Sequence, residues 1–339
     1  MDAYSFIYGL CTMFYALMAW VFWRKGNDRL SRLVCVLMVL VSVQTMKDVA
    51  FLDVNSWALV TAMDMVAVPV YAFILRELVK PCTLSWRRIV AEMSPFVILP
   101  ILFVATGIKL FFFVEIGWAA IYGSYYFTWT LINIPRYHRW LHERFSYSDN
   151  INLNWLRIIL VTFYFILFLW IFDCVVIHVD MEMLYMAGSL VMWMFICYFI
   201  YRHESVLDEL QNLPALEPEP ETSAVFPQID AEVRRLFSDE RLFLNPKLKI
   251  SDVARLVGTN RTYLSAYFNR DNGATFFDFV NDWRVDYAKQ LLTQTNDTLY
   301  VVAELSGFNS LSTFRRAFEQ RNGCTPAEWR KKAPRSEEK

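Results

Sequence analysis

The stretch Gly307–Arg330, GFNSLSTFRRAFEQRNGCTPAEWR, decides the fold of the last third of the chain. Gly307 stands where a helix has to end and turn, because glycine readily adopts the left-handed conformation of a helix C-cap. Ser310, or the residue before it, caps the next helix. In that helix Phe314 and Phe318 lie four residues apart and mark a buried face. The pattern predicts an outward face formed by Ser312, Thr313, Arg315 and Arg316.

This stretch is the second half of an internal repeat. At one fixed offset, Ile250, Val253, Ala254 and Gly258 align with Leu299, Val302, Ala303 and Gly307. One residue further on, Leu264, Phe268 and Gly273 align with Phe314, Phe318 and Gly323. The slip falls in a turn, where an insertion is tolerated. The repeat predicts two helix-turn-helix units joined by one long helix from Thr275 to Thr293. Such a pair can place its second helices in successive major grooves of DNA, about 34 Å apart.

Capping residues predict where the remaining helices of this part begin and end. Asn296 and Asp297 are expected to open the helix that ends at Gly307. Thr325, followed by Pro326 and with Glu328 three residues on, forms a capping box and predicts a last short helix.

The tail resembles the double helix-turn-helix DNA-binding domain of AraC/XylS-type transcription regulators over roughly Gln228–Lys332. The resemblance rests on ISDVARLVGTNRTYLSAYFNRDNG, on FFDFVNDWRVDYAKQLL with Arg284 and Ala288, and on the stretch quoted first. It implies double-stranded DNA and RNA polymerase as partners. The DNA-contacting residues that it implies, together with the basic residues beside them, are Arg261, Thr262, Ser265, Ser312, Thr313, Arg315 and Arg316.

The first unit departs from the family pattern at two positions. Ala266 occupies a site where the family usually has Arg, and Asn269 a site where it usually has Lys. The second unit keeps Arg315 and Arg316. In each unit the second helix is the one expected to read DNA, and we call it the reading helix. We therefore expect specificity for the DNA sequence to rest mainly on the second reading helix.

The composition separates an apolar portion from a charged one. The chain has 339 residues, of which 56% are hydrophobic and 17% aromatic, with a mean hydropathy of +0.28 and a net charge of −1. This is too apolar for an ordinary soluble protein. Charge before Arg202 is largely confined to short loops. We therefore predict a membrane portion followed by a soluble one.

Seven apolar runs are long enough to cross a bilayer, which takes about 20 residues. They are Ser5–Trp23, Leu33–Leu52, Trp57–Leu75, Ile89–Ile108, Leu110–Ile134, Ile158–Ile177 and Met183–Tyr201. Lys and Arg concentrate in alternate loops, after spans one, three, five and seven, and such loops remain cytoplasmic. We predict a multi-pass protein of the bacterial inner membrane, with its N-terminus outside and its tail in the cytoplasm.

Charged residues inside the predicted spans cost a few kcal/mol each at mid-bilayer, so they need a reason. Most lie toward the outer side, and Glu92 lies near the inner end of its span. One interpretation is a signal-sensing polar cluster that binds a small molecule or ion. The alternative is hydrogen bonding between helices with snorkelling at the interface. The candidate cluster comprises Lys47, Asp48, Asp64, Glu115, Asp173 and His178.

The domain organisation predicted from these signals is all-α. It consists of a seven-span membrane domain (1–202), an acidic, proline-containing linker (203–227), the AraC-type domain (228–333) and a charged tail (334–339). The linker has little apolar periodicity, although a short stripe near its start leaves pairing of two chains open.

No catalytic, cofactor or metal site is expected. The six cysteines are scattered without a CxxC pair, and there is no P-loop. His138 and His142 lie four apart in a basic loop and are interpreted as solvated side chains. The leading hypothesis is therefore a membrane-tethered transcription regulator, not an enzyme, that couples a sensed signal to gene expression. The alternative is a transporter or membrane enzyme with a regulatory helical tail.

Overall fold

A computed structural model describes residues 3–26, 28–50, 62–149, 151–161, 179–203, 226–271 and 274–332. The chain forms two compact units that do not follow chain order. The first unit comprises Met1–Tyr137 and Leu153–Leu207, and the second comprises His138–Asn152 and Asp208–Lys339. The sequence did not predict that residues 138–152 belong to the second unit, since it placed them in the domain formed by residues 1–202. The predicted domain boundaries remain predictions.

The first unit is built from long helices. They are α1 (Ala3–Lys25), α2 (Arg29–Ala50), α3 (Ala67–Val79), α4 (Trp86–Thr106), α5 (Lys109–Arg144, whose last residues belong to the second unit) and α6 (Val179–Arg202). Helix α1 packs against α2 and α6, and α3 packs against α2 and α4. Hydroxyl groups join α1 and α2, since Thr12 Oγ1 donates to Thr45 Oγ1 at 3.0 Å.

Four helices in the described part of the chain are long and apolar enough to cross a membrane. These are Ser5–Lys25, Arg29–Lys47, Trp86–Thr106 and Lys109–Arg144, with a shorter apolar helix at Met186–Arg202. They correspond to predicted spans one, two, four, five and seven. Predicted span three lies partly, and span six mostly, outside the described residues. A count of seven therefore remains a prediction.

The second unit contains the helices predicted from the repeat. They are α7 (Phe226–Ser238), α8 (Ile250–Val257), α9 (Arg261–Ala266), α10 (Phe276–Gln294), α11 (Leu299–Leu305), α12 (Leu311–Asn322) and α13 (Pro326–Lys332). A 3₁₀ turn at Leu242–Leu244 follows α7, and a π-helical segment at Tyr267–Asp271 extends α9. The described ranges contain no strand, only one antiparallel bridge between Phe145 and Lys249. The predicted all-α class is confirmed for these residues.

Most of the predicted helix ends are confirmed, and one is corrected. The Thr325 capping box is present, since its backbone N–H donates to Glu328 Oε2 at 2.9 Å and its hydroxyl accepts from the Glu328 N–H at 3.2 Å. The prediction that Asn296 and Asp297 open α11 was wrong. Thr298 is the N-cap, because its extended backbone lets its hydroxyl accept from the Val301 N–H.

Two hydrophobic cores lie along α10, one for each helix-turn-helix unit. Phe276 and Val280 of α10 enter the first core, and Val285, Ala288 and Leu292 enter the second. Leu264 and Phe268 fill the first core, as their repeat partners Phe314 and Phe318 fill the second. The repeated apolar spacing therefore produces two equivalent packing arrangements on one continuous helix.

Candidate nucleic-acid interface

The first reading helix, α9, has a small and largely neutral outer face. Asn260 caps it, since its side-chain oxygen accepts from the Tyr263 N–H at 2.9 Å. Thr262 is exposed, whereas Arg261 and Ser265 are half-buried. The Ser265 hydroxyl accepts from the Asn269 side chain at 3.3 Å. The outward face of α9 therefore presents mainly hydroxyl groups.

The second reading helix, α12, presents two arginines. Ser310 caps the helix by accepting from the Thr313 N–H at 3.2 Å. Ser312, Arg315 and Arg316 are exposed, as predicted. The prediction that Thr313 faces outward was wrong, because it is 6% exposed. Its hydroxyl is directed to a carboxylate from another part of the chain.

That carboxylate belongs to Asp149. Its Oδ1 accepts from the Ser310 hydroxyl at 2.9 Å and from the Thr313 hydroxyl at 3.0 Å. One residue earlier, Ser148 Oγ accepts from Arg316 at 3.4 Å. We call residues 145–149 the covering segment; its last two residues, Ser148 and Asp149, contact the second reading helix. No motif or periodicity of the sequence indicated this contact.

The basic residues near the reading helices are used differently. Arg321, at the end of α12, forms ion pairs with Asp282 at 3.3 Å and Asp286 at 2.8 Å on α10. It therefore joins two helices of the domain. Arg315 forms neither an ion pair nor a hydrogen bond within the part of the chain that the structure describes. Arg321 is held by its ion pairs, whereas the guanidinium of Arg315 is free to meet a phosphate.

Arg284 lies at the centre of the domain and is 1% exposed. Its guanidinium donates to the carbonyls of Phe243, Asn245 and Ser146, each at 2.8 Å, and to Ser146 Oγ at 3.0 Å. Burial lowers the pKa of Arg284 to about 9, and the negative charge of Asp149 acts in the opposite direction. The side chain stays protonated near neutral pH and links α10 to the 3₁₀ turn and the covering segment.

The first unit brings together part of the candidate sensing cluster. Lys47 Nζ lies 2.6 Å from Asp64 Oδ1. Glu115 is fully buried, and neither carboxylate oxygen has a hydrogen-bond partner among the described residues. The Asp48 side chain, Asp173 and His178 lie outside what the structure describes. The cluster as a whole is therefore still a prediction.

A second polar group, around Glu92, was not predicted as a site. The Tyr122 and Tyr126 hydroxyls donate to Glu92 Oε2 at 2.6 and 2.7 Å, and Arg88 lies 3.2 Å from Oε1. These contacts join α4 and α5. They agree with the interpretation that polar residues in the predicted spans bond between helices.

Comparison with known proteins identifies the kind of domain that α8 to α13 form. Residues 253–332 match a family model described as a helix-turn-helix domain. An uncharacterized HTH-type transcriptional regulator of Staphylococcus aureus (strain COL) is 30% identical over 105 residues, which are 31% of this chain and 14% of that protein. The uncharacterized HTH-type transcriptional regulator YobQ of Bacillus subtilis (strain 168) is 33% identical over 84 residues, 25% of this chain and 35% of that protein.

One solved structure to which this chain is similar is that of a transcriptional regulator from Chromobacterium violaceum, described among AraC-type DNA-binding domain-containing proteins. It covers 35% of this chain and 100% of its own, with 23% identity and a TM-score of 0.28.

The C-terminal part of this chain is a helix-turn-helix domain, as the repeat predicted. Its assignment to the AraC type continues to rest on the resemblance carried by the sequence motifs. The chain spans only 14% and 35% of the two curated relatives, and each match covers about a third of this chain or less.

Proposed function

We propose that this protein is a transcription regulator that binds double-stranded DNA through α9 and α12. The observation that supports this most strongly is the pair of helix-turn-helix units, each with its own core, on the single helix α10. One continuous helix fixes the separation of the two reading helices, as binding to successive major grooves requires. The names of the matched relatives, HTH-type transcriptional regulators, agree with this function.

The two reading helices differ in what they offer to DNA. In this proposal the exposed Arg316 contacts a base edge and the exposed Arg315 neutralises a phosphate. In α9, Thr262 and Ser265 offer hydroxyls, with the half-buried Arg261 beside them. The second helix should therefore contribute more affinity than the first.

Replacing Arg316 by alanine in the full-length protein is expected to reduce affinity for a selected duplex by about 10–100-fold, because a good bidentate base contact contributes about 1–3 kcal/mol. Arg315→Ala should weaken binding to all sequences alike and reduce the salt dependence of binding by about one phosphate contact. Both are measured by fluorescence anisotropy with detergent-solubilised protein, at several salt concentrations.

Arg234→Ala is the matched control, since it removes the same charge from α7, where Arg234 pairs with Asp230 at 2.9 Å. Its affinity should equal that of the wild type. Equal DNA binding by Arg316→Ala and Arg234→Ala would contradict the assignment of α12 as a reading helix. Absence of DNA binding by the wild-type protein and also by Asp149→Ala, which lacks the carboxylate that contacts α12, would contradict the proposed function itself.

We further propose that the apolar helices hold the regulator in the cytoplasmic membrane, with seven spans, and that the polar cluster senses the signal. Large apolar side chains are exposed along these helices, including Ile121 at 67%, Val104 at 62% and Met13 at 63%. Such surfaces are suited to lipid. The buried Glu115 and the Lys47–Asp64 pair are costly in a bilayer, which favours a role beyond anchoring.

Neutralising Asp64 and Asp173 together, as Asp64→Asn with Asp173→Asn, is expected to abolish the response to the signal while leaving the protein in the membrane. The measurement is a reporter gene whose transcription by the wild type varies between growth conditions, with the amount of protein in carbonate-washed membranes determined in parallel. Asp28→Asn, at the start of α2, is the control. A normal response by the double variant would assign these carboxylates to helix packing.

A further inference from the structure

We propose that the covering segment holds the second reading helix in a form that excludes DNA, so that DNA binding and docking of the segment compete. This inference rests on the proposed function and specifies its regulation. The segment comes from the part of the chain between predicted spans five and six, yet residues 138–152 form one compact unit with the DNA-binding domain.

The covering segment is held to the domain by specific bonds. The Ser146 N–H and hydroxyl both donate to the Leu248 carbonyl, at 3.1 and 2.8 Å. Arg284 donates to both Ser146 oxygens. Phe145 forms a backbone bridge with Lys249, whose ammonium lies 5.7 Å from the Phe145 ring centroid. The segment is thus bound by backbone and side-chain contacts that span two elements of the domain.

Residues just before the covering segment add an aromatic contact. The His142 ring stacks on Phe277 of α10, with centroids 4.4 Å apart and ring planes 8° from parallel. The interpretation of His142 as a solvated loop residue was therefore wrong, because helix α5 extends through it and places its ring on the domain. This contact holds the end of α5, which immediately precedes the covering segment, against α10.

Asp149 occupies the place that a DNA phosphate would take. The start of a helix attracts anions, because its free N–H groups and the helix dipole carry partial positive charge. Here the carboxylate receives hydrogen bonds from Ser310, the N-cap of α12, and from Thr313 in its first turn. A phosphate at the same site would meet a like charge and hydroxyl donors that are already engaged.

Competition of this kind couples docking of the covering segment and DNA binding, so each must weaken the other. If docking of the segment weakens DNA binding, DNA binding must weaken docking by the same factor. A change in α5 that withdraws the segment would release the reading helix, and this would connect the membrane portion to transcription.

The test uses the full-length protein in lipid nanodiscs and a labelled pool of random-sequence duplexes of about 40 base pairs, long enough for two half-sites. Asp149→Ala removes the anchoring carboxylate and is expected to bind the pool at least about tenfold more tightly than the wild type. Glu143→Ala is the matched control, because it removes the same charge from residues just before the segment, where Glu143 lies 3.7 Å from Arg144.

Hydrogen exchange of the wild type gives a second readout that needs no variant. Adding the duplex should speed exchange of the Ser146 amide, which donates to Leu248 in the docked form. Equal affinities of Asp149→Ala and Glu143→Ala, or unchanged Ser146 exchange in the DNA complex, would overturn the inference. In either case the proposed function stands, since the protein binds DNA, whereas failure of every variant to bind would instead contradict that function.

Discussion

Gly307→Ala is expected to destabilise the DNA-binding domain by at least about 3 kcal/mol. Gly307 has φ +82°, a left-handed conformation that costs an L-residue about 1–2 kcal/mol. In addition, a Cβ at this position would lie 2.7 Å from the Phe243 carbonyl oxygen and 2.9 Å from Leu244 Cα. These are backbone atoms of the 3₁₀ turn, so they cannot move aside as the end of a flexible side chain can. Hydrogen exchange of peptides within residues 226–332 of the full-length protein measures the opening free energy.

The chain offers two matched controls for this substitution. Gly258 and Gly323 end α8 and α12 with φ +71° and +67°, and an added Cβ at either would meet nothing within 4 Å. Gly258→Ala and Gly323→Ala should therefore show the conformational cost alone, about 1–2 kcal/mol. If all three variants lose the same stability, the close approach of the 3₁₀ turn to Gly307 has no energetic consequence.

Gly307 also illustrates how much a local pattern can predict. Its role as a helix terminator follows from sequence alone, because the left-handed C-cap is a local requirement. The same holds for the spacing of Phe314 and Phe318, which predicted a buried helix face without reference to what covers it. The neighbour that forbids a side chain at Gly307, the turn at Phe243, lies more than sixty residues away in the sequence and left no local signal.

Long-range contacts account for the part of the site that the sequence could not predict. Thr313 falls on the outward side of α12 by helical periodicity, yet it is buried, and its hydroxyl donates to Asp149 from a distant part of the chain. Arg321 lies near a reading helix but is paired with Asp282 and Asp286. Periodicity specifies the direction of a side chain relative to its own helix. Which element meets that side chain is decided by the tertiary fold.

The cap of α11 shows a different limit. The stretch from Thr295 to Thr298 contains several residues able to cap a helix, and composition alone favoured Asn296 and Asp297. The choice depends on which residue has the extended backbone, and Thr298 does, with φ −62° and ψ 154°. The helix was therefore predicted correctly, whereas its first residue was not.

In the first unit, hydropathy predicts where helices lie but not how their polar groups pair. The apolar runs of spans one, two, four and five correspond to helices long enough to cross a bilayer. The Lys47–Asp64 pair joins two residues that the sequence placed in one cluster. In contrast, the bonds from Tyr122 and Tyr126 to Glu92 could not be predicted, because tyrosines in spans are equally expected at the lipid interface.

Arg284→Met is expected to destabilise the domain by about 3–5 kcal/mol, the cost of leaving buried partners without their charged donor. Methionine fills a similar volume but donates no hydrogen bond, so the Phe243, Asn245 and Ser146 carbonyls would lose the Arg284 donor. Exchange should therefore accelerate within the second core and around residues 243–245. The Ser146 amide should also lose protection, since Arg284 binds the covering segment directly.

Arg255→Met is the matched control, because it makes the same substitution on α8 at a side chain that is 79% exposed. Its single pairing, with Asp252 at 3.4 Å, contributes little, and the change in stability should stay within about 0.5 kcal/mol. Arg284→Lys separates the effect of the charge from that of the guanidinium geometry. The lysine ammonium restores a positive charge near Asp149, but it lacks the planar guanidinium that lets Arg284 reach four acceptors. We expect it to recover only part of the lost stability. Equal exchange in Arg284→Met and Arg255→Met would show that the buried guanidinium is replaceable by packing, and that the contacts of the covering segment with Leu248, Lys249 and α12 hold it without Arg284.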